Sequence, residues 1–271
     1  MTASSTDGLL AEAVQMKAEM NVSEYERLVS LASKLVADGG NLAKAIKQAK
    51  KACELLPHFP TAYHVLGSAH EANGAPKLAA EAFISAMEKA EADQKVDPKI
   101  WADSAAHAYA MLIMAPDAAK PIWWTDDDLL RLSERAVILL PNDLRSQKWR
   151  ADVLSGLQSA LPASNRSDIE HRSPEQYRDA ATHFQAVAAL LPSADAKRGM
   201  VKAGVMCRAR ADALEKHLAS LPVAPQDKAV APPGPAPADA EHAAAEPLPV
   251  VAASPAQSEP ASGSIVAQYY Y

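Results

Sequence analysis

Residues 60–93, PTAYHVLGSAHEANGAPKLAAEAFISAMEKAEAD, read as two amphipathic helices joined by a tight turn. Tyr63, Leu66, Gly67 and His70 recur at steps of three and four and share one face of the first helix. Ala79, Phe83 and Ala86 do the same on the second. Gly74, Ala75 and Pro76 lie between them. Glycine suits the left-handed residue that ends a helix, and proline suits the first turn of the next.

The order Y-x2-L-G-x2-H followed by A-x3-F resembles the W-x2-L-G-x2-Y…A-x3-F pattern of the tetratricopeptide repeat family. Tyr63 stands where the family prefers Trp and His70 where it prefers Tyr, while Gly67, Ala79 and Phe83 are kept. The resemblance implies helical hairpins that stack on their neighbours. Stepping back by the family period of about 34 residues carries Ala79 to Ala45, Phe83 to Ala49, Ala86 to Ala52, Gly67 to Ser33 and Leu66 to Ala32. Pro57 falls at the closing proline, so a degenerate second repeat is expected over 26–59.

Outward from these two, the pattern continues with insertions. Residues 99–143 form a third unit, with Ala102, Ala105, Ala106 and Tyr109 on its first helix and Ala136 and Pro141 on its second. Thr125 is expected to cap that second helix, with Asp126, Asp127 and Asp128 at the positive end of its dipole. The intervening APDAAKPIWW is an insertion. A fourth unit spans 144–194, where Ala180, Phe184, Val187 and Pro192 fit the second-helix template. Residues 195–219 predict one terminal helix whose charged outer face (Lys197, Arg198, Lys202, Arg208, Arg210) shields the open end of the stack. Upstream, residues 1–22 predict a short or frayed helix with Leu9, Leu10, Ala13 and Met16 on one side, ending where Ser23 and Glu26 form a capping box. Residues 221–271 hold half of the chain's 20 prolines and are expected to be disordered. The fold class is thus all-α: a right-handed α-solenoid of about four helical hairpins plus a capping helix, with a disordered C-terminal tail.

Composition narrows the function. Hydrophobic residues make up 49% and aromatics only 5%, a balance suited to helices packed through alanine. The net charge of −6 argues against general nucleic-acid binding. Cys53 and Cys207 are far apart and are expected to be buried thiols, the alternative being a disulfide. Residues 1–20 carry Asp7, Glu12 and Glu19 and lack a long apolar core, so no secretory signal, transit peptide or membrane span is expected, and the location is expected to be cytoplasmic. The 8 histidines are scattered, and no zinc spacing, nucleophile elbow, phosphate loop or dinucleotide fingerprint appears. No catalytic residue, cofactor or metal is expected. The Asn165-Arg166-Ser167 sequon has no meaning without secretion.

What remains is binding. By the family resemblance, the first helix of each repeat lines a concave groove, which would present Arg27, Ser30 and Lys34, then His64, Ser68 and Glu71. Asp103, His107, Arg145, Lys148, Asp152 and Arg198 extend that surface. Cations outnumber acids there, which favours an acidic or C-terminal peptide, unless these charges simply face solvent. The Lys–Asn carboxylate clamp of the chaperone-binding subset is absent: Ser30 and Lys34 take its first positions and Val65 replaces its asparagine. Tyr63, Leu66, Gly67, His70, Ala79, Phe83, Ala86, Ala180 and Phe184 are assigned to packing between helices. Trp123 and Trp124 either cover the third repeat or anchor a partner, and Tyr269–Tyr271 offer a C-terminal motif or an idle end. The expected function is an adaptor or scaffold that holds a protein or peptide segment. The alternatives are a structural subunit of a stable complex using the outer face and the tryptophan insertion, and an RNA-binding helical repeat.

Overall fold

The computed structural model of this chain describes residues 3–156 and 172–221. Among them are nine helices and no strand. In chain order these are α1 (Ala3–Ala37), α2 (Leu42–Leu55), α3 (Pro60–Ala72), α4 (Pro76–Ala92) and α5 (Pro98–Met114), then α6 (Asp126–Leu139), α7 (Leu144–Ser155), α8 (Pro174–Leu190) and α9 (Ala194–Ser220). Each helix packs on the next, and α1, α3, α5 and α7 also touch in succession. None is long and apolar enough to cross a membrane. The tail from 222 onward, Tyr269–Tyr271 and the Asn165 sequon lie outside the described residues.

Local chemistry fixes most boundaries. The Asn41 side chain accepts from Lys44 N at 2.9 Å and starts α2. Gly74, at φ +70°, turns the chain between α3 and α4, where Ala75 N donates to His70 O at 3.0 Å. Thr125 caps α6, as its position predicts, and Ser173 and Gln176 form a capping box at α8. The expected box at Ser23 and Glu26 does not form. Helix α1 runs through both residues, because no Gly or Pro between Met20 and Ala37 gives the chain reason to leave the helix. The N-terminal segment and the first repeat helix are therefore one element of 35 residues.

The core is built from alanines with a few large rings between them. Ala79, Phe83 and Ala86 on α4 are completely buried, as is Ala180 on α8, with Phe184 nearly so. Gly67 on α3 faces Phe83 so closely that a Cβ there would sit 2.7 Å from the ring. At α9, a Cβ on Gly204 would meet Ala181 O at 3.2 Å. His70 is buried, while Tyr63 and Leu66 are half-buried against the cluster of Tyr25, Leu28 and Ala52. Cys53 and Cys207 are buried free thiols, and burial raises Cys53 to about 11.

The insertion after α5 folds inward. Trp124 is 6% exposed and stacks on Tyr109 (centroids 5.5 Å apart), which stacks in turn on Trp149 (5.2 Å). Lys120 Nζ donates to Leu112 O at 2.6 Å and ties the insertion to the end of α5. Trp124 therefore offers no surface to a partner, and half-buried Trp123 packs on the same core. The exposed apolar side chain of the insertion is Ile122, at 96%.

Helix α9 also departs from expectation. Met200, Gly204, Cys207 and Ala211 pack against α8, but Val201, Val205 and Met206 are exposed among the basic residues of its outer face. That face is apolar as well as charged.

Between α7 and α8, Arg172 is 4% exposed. It holds Asp126 with both terminal nitrogens, Nη1 donating to Oδ2 at 2.6 Å, while Nε donates to Val153 O at 3.2 Å. Asp126 thus neutralises a buried guanidinium in addition to its place in the first turn of α6.

Two stability measurements follow from this packing. Gly67→Ala forces a methyl into a ring with no room to move and is expected to cost about 1–3 kcal/mol in urea unfolding, with Gly204→Ala costing less. Asp126→Ala leaves Arg172 buried and unpaired and is expected to cost about 3–5 kcal/mol.

Candidate functional site: the polar seam of α3, α5 and α7

Positions four apart on a helix share a face. His64, Ser68 and Glu71 on α3 therefore line up beside Asp103 and His107 on α5 and Arg145, Lys148 and Asp152 on α7. The contacts between these helices bring five of the eight into one network. Arg145 Nη2 donates to Glu71 Oε1 at 2.6 Å. The other Glu71 oxygen, Oε2, lies 2.9 Å from His107 Nδ1. His107 Nε2 is 3.4 Å from Asp103 Oδ1, and Asp103 Oδ2 is 3.3 Å from His64 Nε2. His64 Nδ1 lies 3.0 Å from Ser104 Oγ. Beneath the network sits the ring of Phe83, with its centroid 5.3 Å from His64 and 4.6 Å from His107.

The pKa values of the two imidazoles move in opposite directions because their neighbours differ. A neutral imidazole has one N–H to donate, yet both nitrogens of His107 face carboxylates. Burial alone would lower its pKa, but the bonds to Asp103 and Glu71 outweigh burial and raise it. His64 has one carboxylate and one hydroxyl. The neutral ring is satisfied there, since Nε2–H donates to Asp103 and the Ser104 hydroxyl donates to Nδ1. Burial dominates and lowers its pKa. For Glu71, burial pushes upward, but the His107 bond and the His107 and Arg145 charges hold it below the ordinary range. Asp103 is lowered on the same balance, with burial again opposed by His107 and His64. Two carboxylates thus face one guanidinium and two imidazoles, of which His107, held between both acids, is the one favoured to take a proton.

The remaining groove candidates are spread out. Lys148 pairs with Asp152 one turn further along α7, at 2.5 Å. Ser68 Oγ donates back to His64 O at 3.1 Å. Arg27 pairs with Glu24 at 2.7 Å and Arg198 with Asp195, each within its own helix and away from the seam. Lys34 lies exposed in the last turn of α1. The excess of cations read along the sequence is therefore largely matched inside the chain, because acids three or four residues away, or on the next helix, reach them first.

A cleft of about 300 Å³ opens beside the seam, lined by Lys99, Ile100, Asp103, Leu140 and Asp143. Asp103 belongs to both. Among the described residues, no set of three or more His, Cys, Asp or Glu is arranged to hold a metal ion. Sequence reasoning missed Ser104, which hydrogen-bonds His64 Nδ1, and the link from Gln147 Oε1 to His183 Nδ1 (2.7 Å) that extends polar pairing from α7 to α8. Neither residue falls in a motif, and their partners lie 40 and 36 residues away. Comparison with protein-family models and with curated proteins gives no match for this chain.

In a proton NMR titration, His107 is expected to have its midpoint above the ordinary value of about 6.5 and His64 below it. His107 then contributes stability that is complete below its unfolded pKa and is lost as pH rises through its raised folded value. His64, kept neutral, contributes stability that is present above its unfolded pKa and is lost as pH falls through its lowered folded value. Asp103→Asn is expected to lower the His107 midpoint; an unchanged midpoint would remove Asp103 from the network.

Proposed function

We propose that the chain is a tetratricopeptide-like solenoid adaptor. In this reading α1, α3, α5 and α7 line a concave face, and a protein or peptide segment binds along it without a chemical step. The succession of contacts among these alternate helices supports the solenoid arrangement, since stacked hairpins place every first helix beside the next.

One observation carries the ligand assignment. Arg145 is about one-third exposed, at 36%, and is held by Glu71 through a single nitrogen. Guanidinium offers five N–H groups in a rigid fork. Glu71 fixes the side chain in place, and the remaining donors suit a carboxylate from an acidic side chain or a chain terminus. The adjoining cleft at Ile100 and Leu140 accepts an apolar neighbour on the same segment. An acidic or C-terminal segment is therefore the preferred partner, with Arg145 as its anchor. Lys148 is turned to Asp152 and takes a lesser part.

The test is selection from a displayed library of peptides with free C-termini, followed by fluorescence anisotropy of the winners with the full chain. Acidic or free-carboxylate sequences are expected to win, and Arg145→Gln to weaken them about tenfold or more, the value of one charged hydrogen bond. Circular dichroism should show unchanged helical content. Absence of any saturable peptide, or affinity indifferent to Arg145→Gln, would sink the assignment.

A further inference from the structure

Glu71 is shared between two basic side chains. Its Oε1 accepts from Arg145 at 2.6 Å, and its Oε2 lies 2.9 Å from His107 Nδ1. The same imidazole has Asp103 Oδ1 at 3.4 Å from its Nε2. A neutral ring donates through one nitrogen only, so it cannot serve both acids. The protonated ring can. The charged and titratable neighbours of His107 are Glu71 and His64 on α3, Asp103 on its own helix and Arg145 on α7. From α4 it meets the ring of Phe83.

Arg145 and His107 therefore act on one another across the shared carboxylate. Burial opposes a proton on His107, the bonds to Asp103 and Glu71 favour it, the Arg145 charge opposes it, and the balance is upward. An anion that neutralises Arg145 from the solvent side removes one of the opposing influences, so the proton is held more easily. Loss of the proton acts the other way. Glu71 and Asp103 then have one guanidinium between them, since His64 is shifted toward its neutral form. The surplus negative charge meets an incoming carboxylate. Ligand and proton help one another equally, because coupling between two sites is reciprocal.

We infer that an acidic segment binds at Arg145 with uptake of a proton by His107, Glu71 carrying the coupling between them. The site then holds acidic ligands more tightly at lower pH and releases them as pH rises through the His107 midpoint. The proton comes from solvent, which reaches 13% of the His107 side chain. His107 acts through Glu71 and is a positioning residue. The inference rests on the peptide-binding reading of Arg145 and adds its regulation.

The first measurement needs no ligand: His107 is titrated by proton NMR in the full chain, wild type against Arg145→Gln. Removing the guanidinium is expected to move the His107 midpoint upward, as a bound anion does. An unchanged midpoint overturns the inference and leaves the peptide-binding reading standing. The second measurement is calorimetry of hexaglutamate with a free C-terminus, from about pH 6.5 to pH 9, in buffers of different ionisation heat. The probe stays ionised throughout, since its carboxyls titrate near 4.3 in their ordinary state. Wild type is expected to bind about fivefold more weakly at the top of this window, and to take up as much as about one proton per peptide below it. His107→Gln, checked for helical content by circular dichroism, is expected to lose most of both effects. Binding without proton uptake in wild type overturns the inference alone, whether or not the variant folds. A pH dependence that persists in folded His107→Gln belongs to another group and also overturns it. No saturable hexaglutamate binding at any pH removes the inference together with the acidic-ligand reading.

Discussion

The ring of Phe83 fills the space left by the missing side chain of Gly67, and much of the molecule depends on that contact. It brings α3 and α4 together at a distance that any Cβ would prevent. The same ring lies under His64 and His107, so it also forms the floor of the polar seam. Packing and polarity are thereby joined at one residue. Both imidazoles pack against it, and burial lets their differing polar partners shift them in opposite directions.

The seam follows from that burial. Groups taken out of water must be paired, and α3, α5 and α7 each contribute to the pairing: Glu71 and His64 from α3, Asp103 and His107 from α5, Arg145 from α7. The result is a nearly neutral strip that fixes the register of three helices against one another. Arg145 sits at its edge, where positioning by Glu71 lowers the entropy lost on meeting a ligand. A rigid, partly exposed guanidinium is a better recognition element than a free surface lysine.

Side chains at the ends of connections tie distant helices together. One connection is drawn in by aromatic stacking, Trp124 on Tyr109 on Trp149, which extends the central core from α5 to α7. At another, the residue entering α8 is anchored by the Arg172–Asp126 pair, a long-range contact between residues that are 46 apart.

Much of this was legible in the residues themselves. Apolar spacing, Gly74, Asn41 and Thr125 place most helices, because those effects act within a turn or two of the chain. The small residues that line the core, Gly67 and Ala79 among them, were legible for the same reason. Ser23 and Glu26 misled because a capping pair marks a helix start only where the chain has already left the preceding helix, and here nothing breaks it. The helices that carry the polar residues of the seam are legible in the sequence, but the pairing is not: which carboxylate meets Arg145, or why His107 is shifted up and His64 down, depends on neighbours some 36 to 74 residues away. The sequence by itself determined the helices and their buried faces. Only the tertiary structure decided the pairing within the seam, the inward turn of Trp124 and the exposure of Val201 and Val205 on α9, since each depends on distances between helices that local spacing does not encode.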